Sequence, residues 1–268
     1  MNEQRCEVCA FRNPKMTSTA VIIKNGNVFA VKRAHEPEKG KWDFVGGFLN
    51  EGETPREALR REVKEELNVE VDEFVEVGSF PGTYQYKHEI IPITSMAYLV
   101  SISGEPKLSD ENFDFSWLDP FEIDIAFDSN RLILHRVRQM IFPMMEVRQL
   151  IGQLDPTAQI DEFRLYAAQL NGFIATISED SRLIGMGWIF PRTTALRKQA
   201  VIEDMIVDEA HRGKGYGRKI LAQLIEWARD QGIDTIELTS NPKRIAANEL
   251  YKKAGFQLHP TNHYLFKL

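Results

Sequence analysis

The segment from Gly46 to Glu66, GGFLNEGETPREALRREVKEE, carries three carboxylates at a spacing that can do chemistry. Glu62, Glu65 and Glu66 stand at i, i+3 and i+4, so a helix projects all three from one face. Like charges that close repel, and burial makes the repulsion worse. A hard divalent cation resolves both problems, because oxygen ligands hold it and substrate phosphates complete its coordination. The bland alternative is a solvated helix rich in Glu and Arg, so the surrounding residues have to decide.

Those surroundings specify a helix. Thr54 is suited to the N-cap, Pro55 to the first helical position, and Glu57 completes a capping box. Leu59, Val63 and Leu67 form an apolar stripe that sets the carboxylates on a packed margin. Gly46 and Gly47 let the preceding loop bring backbone carbonyls close to the acidic face.

With these residues in place, the stretch resembles the Nudix box, G-x5-E-x7-R-E-U-x-E-E-x-G-U, where U is a bulky aliphatic residue. The match runs through Gly47, Glu53, Arg61, Glu62, Val63, Glu65, Glu66 and Val69. Asn68 stands where the family has glycine, and Asn tolerates the left-handed conformation that ends a helix. The resemblance implies hydrolysis of a nucleoside diphosphate linked to another group, with Mg2+ or Mn2+ clamping the diphosphate. It implies Glu62, Glu65 and Glu66 as metal ligands beside the Gly46 carbonyl, and Arg61 and Glu53 as residues that orient them.

The flanks fit an α/β/α sandwich with a mixed sheet. Ala20–Ile23 and Val28–Val31 read as strands around an Asn25-Gly26 turn. Trp42–Val45, Ile93–Val100 and Ser116–Leu118 read as further strands. An acidic loop with Asp110, Glu111 and Asp114 offers a general base, Glu111 or Asp114, with Glu89 as competitor. Pro81, Tyr84 and Tyr86 occupy positions where ADP-ribose-type relatives contact the nucleotide, which leans the substrate towards ADP-ribose-like molecules; for each residue, an edge turn or a core role is an equal reading.

The second half carries another chemistry. After a strand at Ile202–Val207, the turn HRGKGYG from His211 to Gly217 opens a helix whose apolar face holds Ile220, Leu221, Leu224, Ile225 and Ala228. A glycine turn feeding a helix N-terminus offers amide N–H groups and a favourable dipole to a diphosphate. Together with the strand Thr235–Leu238 and the run AANELYKKAGF from Ala246 to Phe256, this resembles the GNAT acyltransferases over residues 144–268. The family's fold is a central mixed, splayed sheet.

The GNAT resemblance implies acetyl-CoA as acyl donor. Its pyrophosphate would lie on Arg212, Gly213, Lys214, Gly215, Tyr216 and Gly217, and its pantetheine along Ile206 and Val207. Asn248 would be a polar contact to CoA, and Tyr251 the general acid for the departing thiolate. Glu203 and Asp204 are expected on opposite faces of their strand, with Glu203 the preferred base. The acceptor is a small-molecule or peptide amine that the sequence does not identify.

The chain therefore reads as two α+β domains, 1–142 and 143–268, divided after a helix at Ser129–Met140 with Pro143 as breaker. Its 268 residues, 43% hydrophobic, suffice for two cores, and no long flexible linker separates them. A formal charge of −6 argues against nonspecific nucleic-acid or membrane binding. No apolar run approaches a membrane span of about 20 residues, and the start does not read as a signal peptide, so a cytoplasmic location is expected. Cys6 and Cys9 resemble half of a zinc ribbon within residues 1–15; zinc needs four ligands, so a metal-free remnant is favoured over zinc shared across a homodimer or a redox pair. The expectation is a bifunctional enzyme. The alternative is one catalytic domain attached to a nucleotide or CoA sensor or scaffold.

Overall fold

The computed structural model describes residues 13–86, 88–108 and 112–266; Cys6, Cys9, Asp110 and Glu111 lie outside them. Contacts divide the chain into two compact units. One holds the residues up to Met144 together with Gln159–Leu170, and the other holds Met145–Ala158 and Asn171–Leu268.

The first unit opens with β1 (Lys15–Val21), β2 (Ile23–Lys24), β3 (Asn27–Arg33), β4 (Trp42–Asp43) and β5 (Val45–Phe48). The expected Trp42–Val45 strand is thus two short ones, interrupted at Phe44. Helix α1 (Pro55–Leu67) follows, then β6 (Glu70–Tyr86), β7 (Glu89–Ser103), β8 (Asn112–Leu118) and α2 (Asp128–Arg138). One sheet runs β5-β1-β7-β6, with β1 and β7 parallel and the other pairs antiparallel. A second runs β2-β3-β4 with β8 on β3, all antiparallel.

Both faces of the strands are apolar, and each side takes one helix. Ala20, Ile22, Phe29 and Val31 share a core with Leu59, Val63 and Leu67 of α1. Their neighbours Val21, Val28 and Ala30 face the other way, onto Ile133, Leu134 and Val137 of α2. Side-chain alternation along the strands builds this α/β/α arrangement. Helix α1 has the expected ends: Thr54 and Glu57 form a capping box, and Asn68 closes the helix with φ 52°.

Helices α3 (Met144–Leu154) and α4 (Glu162–Asn171) come next, the first grouped with the second unit and the second almost wholly with the first unit. Within the first unit, the Glu162 carboxylate accepts the N–H groups of Asn25 (2.8 Å) and Gly26 (3.0 Å) at the β2–β3 turn.

The second unit adds β9 (Phe173–Glu179), β10 (Arg182–Thr193), β11 (Lys198–Val207), α5 (Tyr216–Asp230), β12 (Thr235–Leu238) and α6 (Ile245–Lys253). The sheet order is β12-β11-β10-β9, with β11 and β12 parallel and the rest antiparallel. Strand β12 pairs with β11 only from Gln199 to Ile202, so the two part beyond that register. The expected face of α5 holds: Ile220, Leu221, Leu224 and Ala228 are buried against the sheet, with Tyr251 of α6 in the same core.

The expectation of strict alternation at Glu203 and Asp204 needs correction. Trp188 pairs with Glu203 and Met186 with Ile206, so Asp204 and Met205 together oppose Gly187 in a bulge. Asp204 has φ 48° there, and Met205 and Ile206, though adjacent, are both buried.

Candidate functional site

In the first unit the capping box starts α1 just where its fourth turn can lay acidic residues beside β5. Arg61 is the hub. Its guanidinium grips Glu53 through both carboxylate oxygens (2.8 and 2.9 Å) and donates to Glu62 (2.7 Å), Glu65 (3.1 Å) and the Phe48 carbonyl (2.9 Å). This charge-assisted fork holds the Glu53 carboxyl down at about 2 and keeps Arg61 cationic at every working pH.

Glu66 turns inward instead. It is buried and accepts the Gly46 N–H (2.9 Å) and the Asn112 side-chain amide (2.6 Å). Both donors are neutral, and burial pushes its carboxyl up to about 8. Glu62 is buried as well, while the Glu65 side chain is 57% exposed. Two glycines make the close approach possible. A Cβ on Gly47 would lie 2.3 Å from a Glu62 oxygen, and one on Gly46, whose φ is 152°, would lie 2.1 Å from the Ser18 carbonyl.

Among the described residues, no three acidic, His or Cys side chains converge ready to hold an ion. The expected cluster of Glu62, Glu65 and Glu66 is divided, because Arg61 holds the first two and Gly46 with Asn112 holds the third. The donor set still suits Mg2+ or Mn2+. It offers hard carboxylate oxygens on one helix face, and it includes the buried Glu66 carboxyl, whose ionised form burial penalises and a divalent ion would favour.

Asp114 belongs to β8 rather than to a loop; it is exposed, and its carboxylate caps its own neighbour's N–H at Phe115 (2.9 Å). Glu89 is exposed at the start of β7. The β8 residue that reaches the acidic helix is Asn112, which the sequence reading missed. A register shift between Lys32 and Arg33 places Asn112 opposite Arg33 and Asp114 opposite Lys32, so the two side chains do not share a face.

A second network escaped the sequence reading too. Buried Asp43 binds Arg33 (2.8 Å) and Asn130 (2.5 Å), and burial pushes its carboxyl up to about 6 despite the guanidinium. Arg33 also donates to the Pro37 carbonyl (2.8 Å) and lies 4.7 Å over the Phe127 ring. Tyr84 packs its ring against Phe48 at 5.2 Å and against Phe127 at 5.4 Å. These rings lead from β5 to a cavity of about 790 Å³ lined by Pro37, Glu38, Lys39, Thr83, Phe127 and Arg131, among others. Pro81 is exposed on β6, and Tyr86 pairs with Glu89 at the strand's end.

In the second unit, Gly213 and Gly215 take φ 81° and 84°, and Gly215 caps α5 without any side-chain bond. The turn therefore exposes backbone at a helix N-terminus. Gly217 instead clears room for Leu250, 3.3 Å from its Cβ position. Arg212 donates to the Val207 carbonyl (3.1 Å) and Arg244 to that of Met205 (3.2 Å), on the part of β11 beyond its pairing with β12. The Asn248 amide donates to the carbonyls of Asn241 and Arg244 (3.0 Å each). Tyr251 is buried, and burial raises its phenol above the ordinary value. Burial, followed by the Asp204 charge, raises the Glu203 carboxyl; burial alone raises Asp204.

Two α/β units, one with an acidic helix beside glycines and one with a glycine turn on a splayed sheet, define a two-domain enzyme. Residues 14–136 match the NUDIX domain and residues 135–256 the acetyltransferase (GNAT) family, and the chain belongs to both families, as a Nudix hydrolase domain followed by a GNAT acetyltransferase domain. It is similar to an ADP-ribose pyrophosphatase of Methanocaldococcus jannaschii, 30% identical over 132 residues, 48% of this chain and 76% of the relative. It is also similar to a probable glucosamine 6-phosphate N-acetyltransferase 2 of Oryza sativa, 31% identical over 121 residues, 40% of this chain and 71% of the relative. The solved MutT NUDIX hydrolase of Burkholderia pseudomallei aligns with 24% identity and a TM-score of 0.43, over 47% of this chain and 98% of its own. The share of a curated relative's length that the chain spans falls as low as 32%. Among the described residues, no helix is long and apolar enough to cross a membrane.

Proposed function

We propose that the chain is a bifunctional enzyme: a metal-dependent hydrolase of a nucleoside diphosphate linked to another group, joined to an acetyl-CoA-dependent N-acetyltransferase. The observation that carries the first activity is the set of Glu62, Glu65 and Glu66 on one end of α1, the first two held by Arg61 and the buried third by Gly46 and Asn112. An ADP-ribose-like substrate is favoured by the likeness to the archaeal pyrophosphatase and by a cavity with the Phe127 ring on its wall.

Glu62, Glu65, Glu66 and the Gly46 carbonyl would hold Mg2+ or Mn2+. When bound, the ion neutralises the diphosphate oxygens and polarises the phosphorus. Arg61 keeps Glu62 and Glu65 oriented and is itself pinned by Glu53. Water attacks one phosphorus, the bridging P–O bond breaks, and Glu111 takes the water proton, since Asp114 lies on the face of β8 opposite Asn112. The cavity would take the nucleoside end, with the base against Phe127. Phe127→Ala is expected to raise KM for the preferred substrate about tenfold with little change in kcat, and steady-state kinetics with unchanged KM would remove the ring from the binding site.

In the second domain, the backbone from Gly213 to Gly217, with Arg212 and Lys214, would cradle the CoA pyrophosphate, and Ile206 and Val207 would pair with pantetheine. Glu203 takes a proton from the acceptor ammonium, and the freed amine attacks the thioester carbonyl. The C–S bond breaks, Tyr251 donates its phenolic proton to the thiolate, and the second proton shed by the acylated nitrogen returns to the phenolate. A small-molecule or peptide amine is the acceptor class. We take 142/143 as the working boundary between the two activities.

The reading is tested by a Mg2+-dependent hydrolysis screen over ADP-ribose, NADH, FAD, CoA and nucleotide sugars, with calorimetric titration of acetyl-CoA alongside. One preferred substrate and acetyl-CoA binding are expected. Acetyl-CoA binding without any hydrolysis would instead favour a nucleotide sensor attached to an acetyltransferase.

A further inference from the structure

The glycine turn of the second unit is occupied electrostatically by the chain itself. Glu179, the last residue of β9, accepts the Tyr216 hydroxyl (2.7 Å) and lies 3.3 Å from His211 Nε2 and 3.8 Å from Lys214 Nζ. One carboxylate thus engages both ends and the middle of the His211–Gly217 turn. The hydroxyl first, then Lys214 and His211, hold the Glu179 carboxyl below the usual carboxylate range, so it is ionised at working pH.

The rest of the network fixes this placement. His211 Nδ1 contacts Asp208 (2.6 Å), and Asp208 accepts the Gln153 amide (2.7 Å). The β9–β10 turn next to Glu179 is made by Asp180 and Ser181 at φ 49° and 63°, without a glycine. Two non-glycine residues in left-handed conformations store strain, and that strain persists only where neighbours hold the turn in place. Asp180 adds a further negative charge near Tyr216. The Glu179 side chain is 38% exposed and that of Lys214 53%, so an incoming anion can reach the same groups.

We propose that Glu179 is a resident competitor at the diphosphate turn, a donor-affinity determinant that holds Lys214, His211 and Tyr216 until a diphosphate displaces it or binds against its charge. The proposal rests on the reading of this turn as the CoA pyrophosphate site. A carboxylate in that position weakens donor binding by repulsion and by occupying the donors. It thereby favours release of the CoA product, whose charge is the same as that of the incoming donor.

The test is calorimetric titration of the full-length protein with CoA at several NaCl concentrations, comparing wild type, Glu179→Gln and Glu179→Asp, with circular dichroism melts to confirm folding. Glu179→Gln is expected to bind CoA roughly three- to tenfold more tightly, with a steeper salt dependence as Lys214 is released. Glu179→Asp, which keeps the charge, should bind less tightly than Glu179→Gln. If wild type binds CoA and Glu179→Gln binds equally or more weakly, Glu179 merely shapes the turn and the proposal falls while the CoA reading stands. If neither protein binds CoA, the reading of the turn itself falls and takes the proposal with it.

Discussion

Replacing Glu65 by Gln is expected to lower Mg2+-dependent hydrolysis by about a thousandfold or more while leaving the fold intact. The change is nearly isosteric and removes one negative charge from the acidic face of α1. Loss of one charged ligand from a site that stabilises a developing phosphoryl charge forfeits several kcal/mol, and each 1.36 kcal/mol is a factor of ten in rate. Stability has little at stake. The Glu65 side chain is 57% exposed and its ion pair is with Arg61, which Glu53 still grips through two oxygens. Exposed pairs contribute about 0–1 kcal/mol, so the melting temperature should hardly move. Glu66 would make a poorer probe, because it is buried and bonded to Gly46 and Asn112, and its replacement mixes packing with chemistry. Acetyl-CoA affinity in the Glu65→Gln protein should match wild type. Hydrolysis at the normal rate would remove Glu65 from the metal set.

The features that the sequence displayed most clearly are those made by neighbours in the chain. The helix α1 has its start in Thr54, Pro55 and Glu57 and its end in Asn68, and all four are local capping chemistry. The faces of α1 and α5 followed from helical spacing. What stayed hidden depends on distant partners or on backbone geometry that residue types do not announce. Asn112 meets Glu66 from 46 residues away, and Asn130 meets Asp43 from 87 away. Asn112 falls within the stretch whose Asp110, Glu111 and Asp114 read as an acidic loop, since a bulge in β8 masks the strand's alternation. The hairpin of β9 and β10 turns on Asp180-Ser181, which lacks the Asn-Gly or Asp-Gly pair that marks such turns. The bulge at Asp204 is similarly silent, because a non-glycine residue with φ 48° has no sequence signature. Strained positions of this kind lie beside Glu179 and Glu203, and Phe127 at φ 63° lines the cavity of the first unit. Local rules fail where the fold bends the backbone towards its candidate sites.

Tyr251→Phe is the sharpest probe of the second domain, and it should cut acetyl transfer by roughly 10²–10⁴-fold while leaving the Kd for acetyl-CoA within about twofold. The structure makes the substitution selective. Tyr251 sits in the core with Met205, Ile220 and Leu224, and its ring stands 6.1 Å from that of Phe256 in an edge contact. Phenylalanine keeps that packing and loses only the hydroxyl. Burial raises the Tyr251 phenol, against the opposing charge of Arg244, so the proton is retained through neutral and mildly alkaline pH. A proton donor of raised pKa stays competent as pH climbs and fails only when it ionises. The wild-type kcat should therefore fall on the alkaline side with the ionisation of Tyr251, and the Phe variant should lack that limb. Pre-steady-state transfer rates and acetyl-CoA titrations across pH separate the outcomes. Equal loss of binding and transfer would assign Tyr251 to packing, whereas an undiminished transfer rate would place the proton donor on another residue.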